Sequence, residues 1–214
     1  SCLLPCTNSI RYTILMPMSA PYDDHTLTVL EEAERLKLHC RHEEAITLLE
    51  ELLSEDPGNI AALEEIADNE LSLERYARAV AAAKQAVALN KESYMGHYIL
   101  GFVASLNEDW EMSARELEIA NGIRPNNPEI LRCLGWTLFN RKKRVQGIVT
   151  LERALNLDPN NTLSLCDLGV CYLHVRNFRK AHSLFHRALD IDPGNVRAQE
   201  CVETVARLCK GVGK

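Results

Sequence analysis

The chain has 214 residues, 46% of them hydrophobic, and a formal net charge of −6. It contains no run of about 18 apolar residues, so no membrane-spanning helix is expected. Its acidic balance argues against general nucleic-acid binding, which needs a broad basic face. The charge is uneven: residues 1–93 hold 8 Lys/Arg against 17 Asp/Glu, and residues 94–214 hold 16 against 13. Such a gradient suits a partner that docks in one orientation.

Residues 1–25 form a tail with Pro5, Pro17 and Pro21 and no repeat pattern. Its start lacks the basic residues of a signal peptide. Met18 opens the segment M-S-A-P, which reads as a natural start, with residues 1–17 as upstream sequence. From residue 26 the chain becomes periodic. Pro57, Pro125, Pro159 and Pro193 stand on a 34-residue ladder, and Lys91 occupies the missing rung. A fixed period of this length predicts a repeat array rather than one globular core. The units fall at 26–59, 60–93, 94–127, 128–161 and 162–195. Within each, large apolar residues recur at three- and four-residue steps, which predicts two amphipathic helices. The proline then stops the second helix.

In the first unit Ala33, Leu36, Ala45, Leu49, Leu52 and Pro57 hold the pattern, and Glu32 departs from it. In the second, Glu70 and Ala83 replace large residues and Lys91 replaces proline. That unit is expected to pack least tightly, with its second helix running on toward the third unit. In the third, His97 departs, whereas Leu100, Gly101, Leu117, Ala120 and Pro125 fit. The fourth carries Leu131, Leu134, Gly135, Leu138, Gly147, Leu151, Ala154 and Pro159. The fifth carries Leu165, Leu168, Gly169, Tyr172, Ala181, Phe185, Ala188 and Pro193 at the same eight places. Gly135 and Gly169 are expected to face Ala154 and Ala188, so that the paired axes approach closely. Residues 196–214 predict a capping helix, with Val202, Val205 and Leu208 on its apolar side, and a short tail.

The order large, large, small, large, small, large, small, proline resembles the tetratricopeptide-repeat (TPR) family over residues 26–195. The resemblance implies an all-α fold, a right-handed superhelical solenoid of five helix-turn-helix units plus the C-terminal cap. It also implies a concave groove lined by positions 2, 5, 9 and 12 of each unit. In the later units these positions supply Met95, Tyr98, Phe102, Arg132, Trp136, Phe139, Leu163, Cys166, Val170 and Leu173, an apolar lining with Arg132 as its lone cation. Glu64 and Asp68 make the other end acidic. Tyr98, Phe102, Trp136 and Phe139 are surplus to packing within a repeat, so they read either as a peptide-binding surface or as residues that fill a closed groove themselves. Trp110, Tyr76 and Phe178 share position 17 and belong to the frame at the start of the second helix. The paired cations with which chaperone-docking TPR domains hold a C-terminal carboxylate are missing in every register.

Three other features complete the reading. Arg141, Lys142, Lys143 and Arg144 form a basic turn, read as solvated charge rather than a localisation signal or an anion contact. His182, His186 and Asp190 share one helix face, read as a polar stripe over a metal site. The eight cysteines lack metal-ribbon spacing and read as small reduced residues of a cytoplasmic protein. No catalytic set or phosphate-binding glycine loop emerges, and no cofactor is expected. The expected function is a non-enzymatic protein–protein scaffold or adaptor that binds a peptide or helix with apolar anchors. The alternatives are a secretion-type chaperone shielding an apolar segment, and a homo-oligomeric scaffold with residues 1–17 of one copy in the groove of the next.

Overall fold

The computed structural model describes residues 22–211. Among the described residues there are eleven α-helices and no strand. They are α1 (Asp24–Leu38), α2 (His42–Glu55), α3 (Ile60–Ser72), α4 (Tyr76–Leu89), α5 (Tyr94–Leu106), α6 (Trp110–Ile123), α7 (Pro128–Asn140), α8 (Arg144–Leu157), α9 (Thr162–His174), α10 (Phe178–Ile191) and α11 (Val196–Gly211). Residues 1–17, and with them the expected seat of the tail in a neighbour's groove, lie outside the described residues. From α3 onward every first helix begins 34 residues after the last, at 60, 94, 128, 162 and 196. The second helices keep the same step from 42 through 178. Tyr76, Trp110 and Phe178 each open a second helix, as expected, and Phe178 packs on the core beside it.

Two compact units divide the chain, one ending at Val103 and the other beginning at Ala104. In the first, α1 packs on α2 and α3, and α3 packs in turn on α2 and α4. In the second, α7, α9 and α11 stand side by side, while α8 and α10 pack against them as a second layer. The core of this unit gathers Leu151, Leu165, Leu168, Cys171, Tyr172 and Phe185, with Ala198 and Val205 of α11 closing it.

The close approaches differ from those expected. A Cβ on Gly135 would meet Leu151 Cγ at 2.7 Å and the Gly147 carbonyl at 3.0 Å. A Cβ on Gly169 would meet the Phe185 ring at 2.5 Å. The small residues therefore make room for Leu151 and Phe185, and Ala154 and Ala188 are buried one turn farther along their helices. In the second repeat, α4 presents Ala79, Ala82, Ala83 and Ala86 to the interior. Glu70 has no solvent exposure; Arg78 Nε lies 2.8 Å from one carboxylate oxygen and Arg75 Nη1 3.8 Å from the other. Neither approach makes a hydrogen bond, so these are charge contacts only.

Lys91 does not extend α4. That helix ends at Leu89, the same place in the repeat as α2, α6, α8 and α10. Asn90 leaves the helix in an extended conformation, and its side chain accepts from the Glu92 N–H at 2.9 Å. Asp56 and Asp192 make the same side-chain turn ahead of Pro57 and Pro193, so the turn forms here without the proline. Elsewhere Asn59, Asn127, Asn161 and Asn195 cap the following helix by accepting from its first-turn N–H groups.

Each first helix closes in one recurring way. Cys40, Glu74, Glu108, Lys142 and Arg176, again 34 residues apart, adopt φ between 58° and 69°. Their N–H groups donate to the carbonyl three residues back, as Arg176 does to Leu173 at 3.0 Å. The next N–H reaches five residues back, as Asn177 does to Tyr172 at 2.8 Å. This left-handed C-terminal cap ordinarily takes glycine, and none of the five is glycine. Cys40 is thereby placed in an exposed turn, unlike the buried Cys133, Cys166 and Cys171. On α11, Ala198, Cys201, Val202 and Val205 are packed, but Leu208 continues their spacing into solvent and is 43% exposed.

Candidate protein-binding face

The first helices of the second unit carry most of the expected groove residues. On α7, Trp136 is partly exposed while its inner side packs on the core. Val170 and Leu173 on α9 behave the same way, and Leu163 lies partly exposed at the start of that helix. Phe139 and Cys166 do not join them. Phe139 is 6% exposed and belongs to the core, because Gly147 leaves room for its backbone and Cβ to close onto α8. Its ring also lies 6.0 Å from the ring of His174 and 6.0 Å from the Arg144 guanidinium. Cys166 is buried, and burial pushes its thiol up to about 11. The thiols of Cys133 and Cys171 are raised further by the same cause. None of the three is thiolate near neutral pH, so none is a ready nucleophile.

Arg132, the one cation among the expected lining residues of the later repeats, is paired. It pairs with Glu129 one turn before it and donates from Nη1 to Asp167 Oδ2 at 2.8 Å. Asp167 Oδ1 in turn meets Arg197 Nη2 of α11 at 2.8 Å. Arg132 and Asp167 are 11% and 5% exposed as side chains. A four-residue ladder of alternating charge thus crosses α7, α9 and α11 with no net charge. Asp167 and Arg197 were missed by the sequence reading because Asp167 stands at position 6 and Arg197 on the cap. The signal available was an acidic residue 35 places after Arg132.

In the first unit, Met95 and Tyr98 are buried and Phe102 is partly exposed, with the two rings 6.1 Å apart. The acidic end is also paired. Lys37 reaches Glu65 at 2.6 Å and Asp68 at 3.2 Å, and the Ser93 hydroxyl donates to Glu64. Burial alone would lower the ammonium pKa of Lys37, but the Asp68 and Glu65 carboxylates outweigh it and hold the group charged. Burial raises the carboxyl pKa of Glu64, against the pull of the Ser93 hydroxyl, and Glu65 is raised for the same first cause.

On the outer surface, Arg141 pairs with Glu111 across α7 and α6, while Lys142, Lys143 and Arg144 are exposed. Among the described residues, no three His, Cys, Asp or Glu side chains gather as metal ligands, and no helix is long and apolar enough to cross a membrane.

Rows of helical hairpins in a constant 34-residue step, with a partly apolar face on the first helices, define a helical-repeat array. Tetratricopeptide repeat models match residues 64–161 and 163–195, and the chain belongs to that family. It is similar to the peroxisomal targeting signal receptor of Saccharomyces cerevisiae, 32% identical over 83 residues, covering 39% of this chain and 14% of the receptor. The chain therefore spans a small part of that relative's length. Among solved structures, Pseudomonas aeruginosa PilF matches with a TM-score of 0.70 and 16% identity, covering 86% of this chain and 83% of PilF. YrrB, described as a TPR protein with an unusual peptide-binding site, matches with a TM-score of 0.60 and 21% identity, covering 82% of this chain and 90% of YrrB. At these identities the two likenesses show the fold.

Proposed function

We propose that this protein is a non-enzymatic interaction scaffold that binds a peptide or helix carrying apolar anchors on α7 and α9. The observation that carries this reading is that Trp136, Val170 and Leu173 keep part of their surface in water after the core is packed. A partner that covers them completes a burial already half made, and each contributes on the order of 1 kcal/mol, about half the value for a whole side chain. The neighbouring charges supply no net attraction, since Glu129, Arg132, Asp167 and Arg197 neutralise one another. Apolar side chains then set the affinity, and salt has little effect on it. The peptide-binding site described for YrrB supports the reading by analogy of fold.

The test is selection of peptides from a random displayed library on the purified protein, with affinities measured by fluorescence anisotropy. Trp136→Ala and Leu173→Asp should each weaken binding about tenfold or more, with circular dichroism unchanged. Trp110→Phe, on the frame, should leave it intact. Selected peptides that bind both face variants as tightly as wild type would overturn the proposal.

A further inference from the structure

We propose that His182 and His186 form a two-histidine chelate for a divalent transition-metal ion on the exposed side of α10. The two residues are one helical turn apart on a 14-residue helix, so their side chains rise from the same face. Both are exposed, and their rings stand 4.2 Å apart between centroids at an interplanar angle of 47°. The decisive distance is between the two Nε2 atoms, which is 3.0 Å. Imidazole nitrogens bind zinc at about 2.0–2.1 Å, so two of them set at right angles about one ion lie roughly 3.0 Å apart, and at the tetrahedral angle about 3.4 Å. The side chains thus already hold the separation an ion requires. Without an ion, the same approach is bridged by one ring's Nε2–H donating to the other's lone pair. On binding, the donating ring passes its Nε2 proton through water to Nδ1, and the ion sits to one side of the N–N line, where both Nε2 lone pairs reach it.

The chemistry of the donors selects the ion. Neutral imidazole favours zinc, nickel and copper over magnesium or calcium, which prefer oxygen. With no third His, Cys, Asp or Glu gathered at the pair among the described residues, the remaining coordination positions belong to water. The bound ion is consequently exchangeable and open to a further donor. Asp190, one turn beyond His186, adds a negative charge on the same side, and Arg179 and Arg187 add positive charge nearby in the helix.

Nickel is the probe of choice, because it does not oxidise thiols and the chain has exposed Cys40. Calorimetric titration of the full chain with nickel in a non-chelating buffer should show one site per chain, reversed by chelator. Thermal unfolding should move upward with nickel, since the ion binds the formed helix and not the unfolded chain. His182→Ala and His186→Ala should each lower the affinity about tenfold or more, and the double variant little further, because a chelate is lost with its first ligand. Both positions are exposed, so circular dichroism of the variants should match wild type. Cys40→Ser should bind as wild type. Absence of nickel binding at millimolar ion, retention of full affinity in both histidine variants, or its loss in Cys40→Ser would each overturn the site.

Discussion

Replacing Lys142 or Arg176 with glycine should stabilise the protein, whereas alanine at the same places should not. Both residues close a first helix in the left-handed region, at φ 69° and 59°, and both side chains are exposed. That conformation costs an ordinary L-residue about 1–2 kcal/mol. Glycine escapes the cost but loses about 0.5–1 kcal/mol more chain entropy on folding. The difference leaves a gain of about 0.5–1 kcal/mol per site. The turn's hydrogen bonds are backbone to backbone, Lys142 to Phe139 and Arg176 to Leu173, so the substitution removes none of them. Alanine keeps the Cβ and therefore the strain, which makes it the control. The measurement is the urea midpoint followed by far-ultraviolet circular dichroism, with the slope checked for constancy. The double glycine variant should add the two gains, since each substitution removes only its own backbone strain and no side-chain partner. Glycine variants no more stable than wild type at both sites, or alanine matching glycine, would show that backbone strain is not stored in these turns.

Gly169→Ala should lower the thermal midpoint, by the equivalent of about 1–3 kcal/mol, because its Cβ would lie 2.5 Å from Phe185 Cε1 in a closed core. A companion Phe185→Leu change should recover part of that loss relative to the sum of the single effects. Glu64→Gln should stabilise the fold at neutral pH. Burial raises the folded pKa of Glu64, so its contribution is fully present below the usual carboxylate range and is lost as pH rises through the raised value. Urea midpoints of wild type and variant should therefore converge in acid and separate toward neutrality; a constant gap across that window would refute the assignment.

The repeat frame was plain in the sequence because it is a local property. Proline on a 34-residue ladder and apolar residues at helical steps need no partner to be recognised, and α3 through α11 begin where the ladder places them. Lys91 predicts a run-on helix only if proline is the sole stop; Asn90 beside it makes the side-chain turn that Asp56 and Asp192 make in the proline-bearing repeats. The five left-handed turns went unnoticed because Cys, Glu, Lys and Arg give no glycine signal; only their common spacing marks them. The face residues were legible by register but not by exposure. Trp136 and Phe139 read alike in sequence, yet Gly147 on the opposite helix draws Phe139 into the core and leaves Trp136 at its edge. Of the partners of Arg132, Glu129 stands one turn before it and is legible from helical spacing, whereas Asp167 lies one repeat away and Arg197 another.

A linear stack has only nearest-neighbour contacts, so its ends tend to open first and alone. Asp167 works against this in the second unit, since one of its oxygens holds α7 through Arg132 and the other holds α11 through Arg197. Peeling α11 away leaves that carboxylate half-paired at a nearly dry position, and loosening α9 strands an arginine on either side. Opening of the first turn of α11, where Arg197 sits, should then be coupled to α9, and hydrogen exchange should show those amides opening with α9 rather than ahead of it.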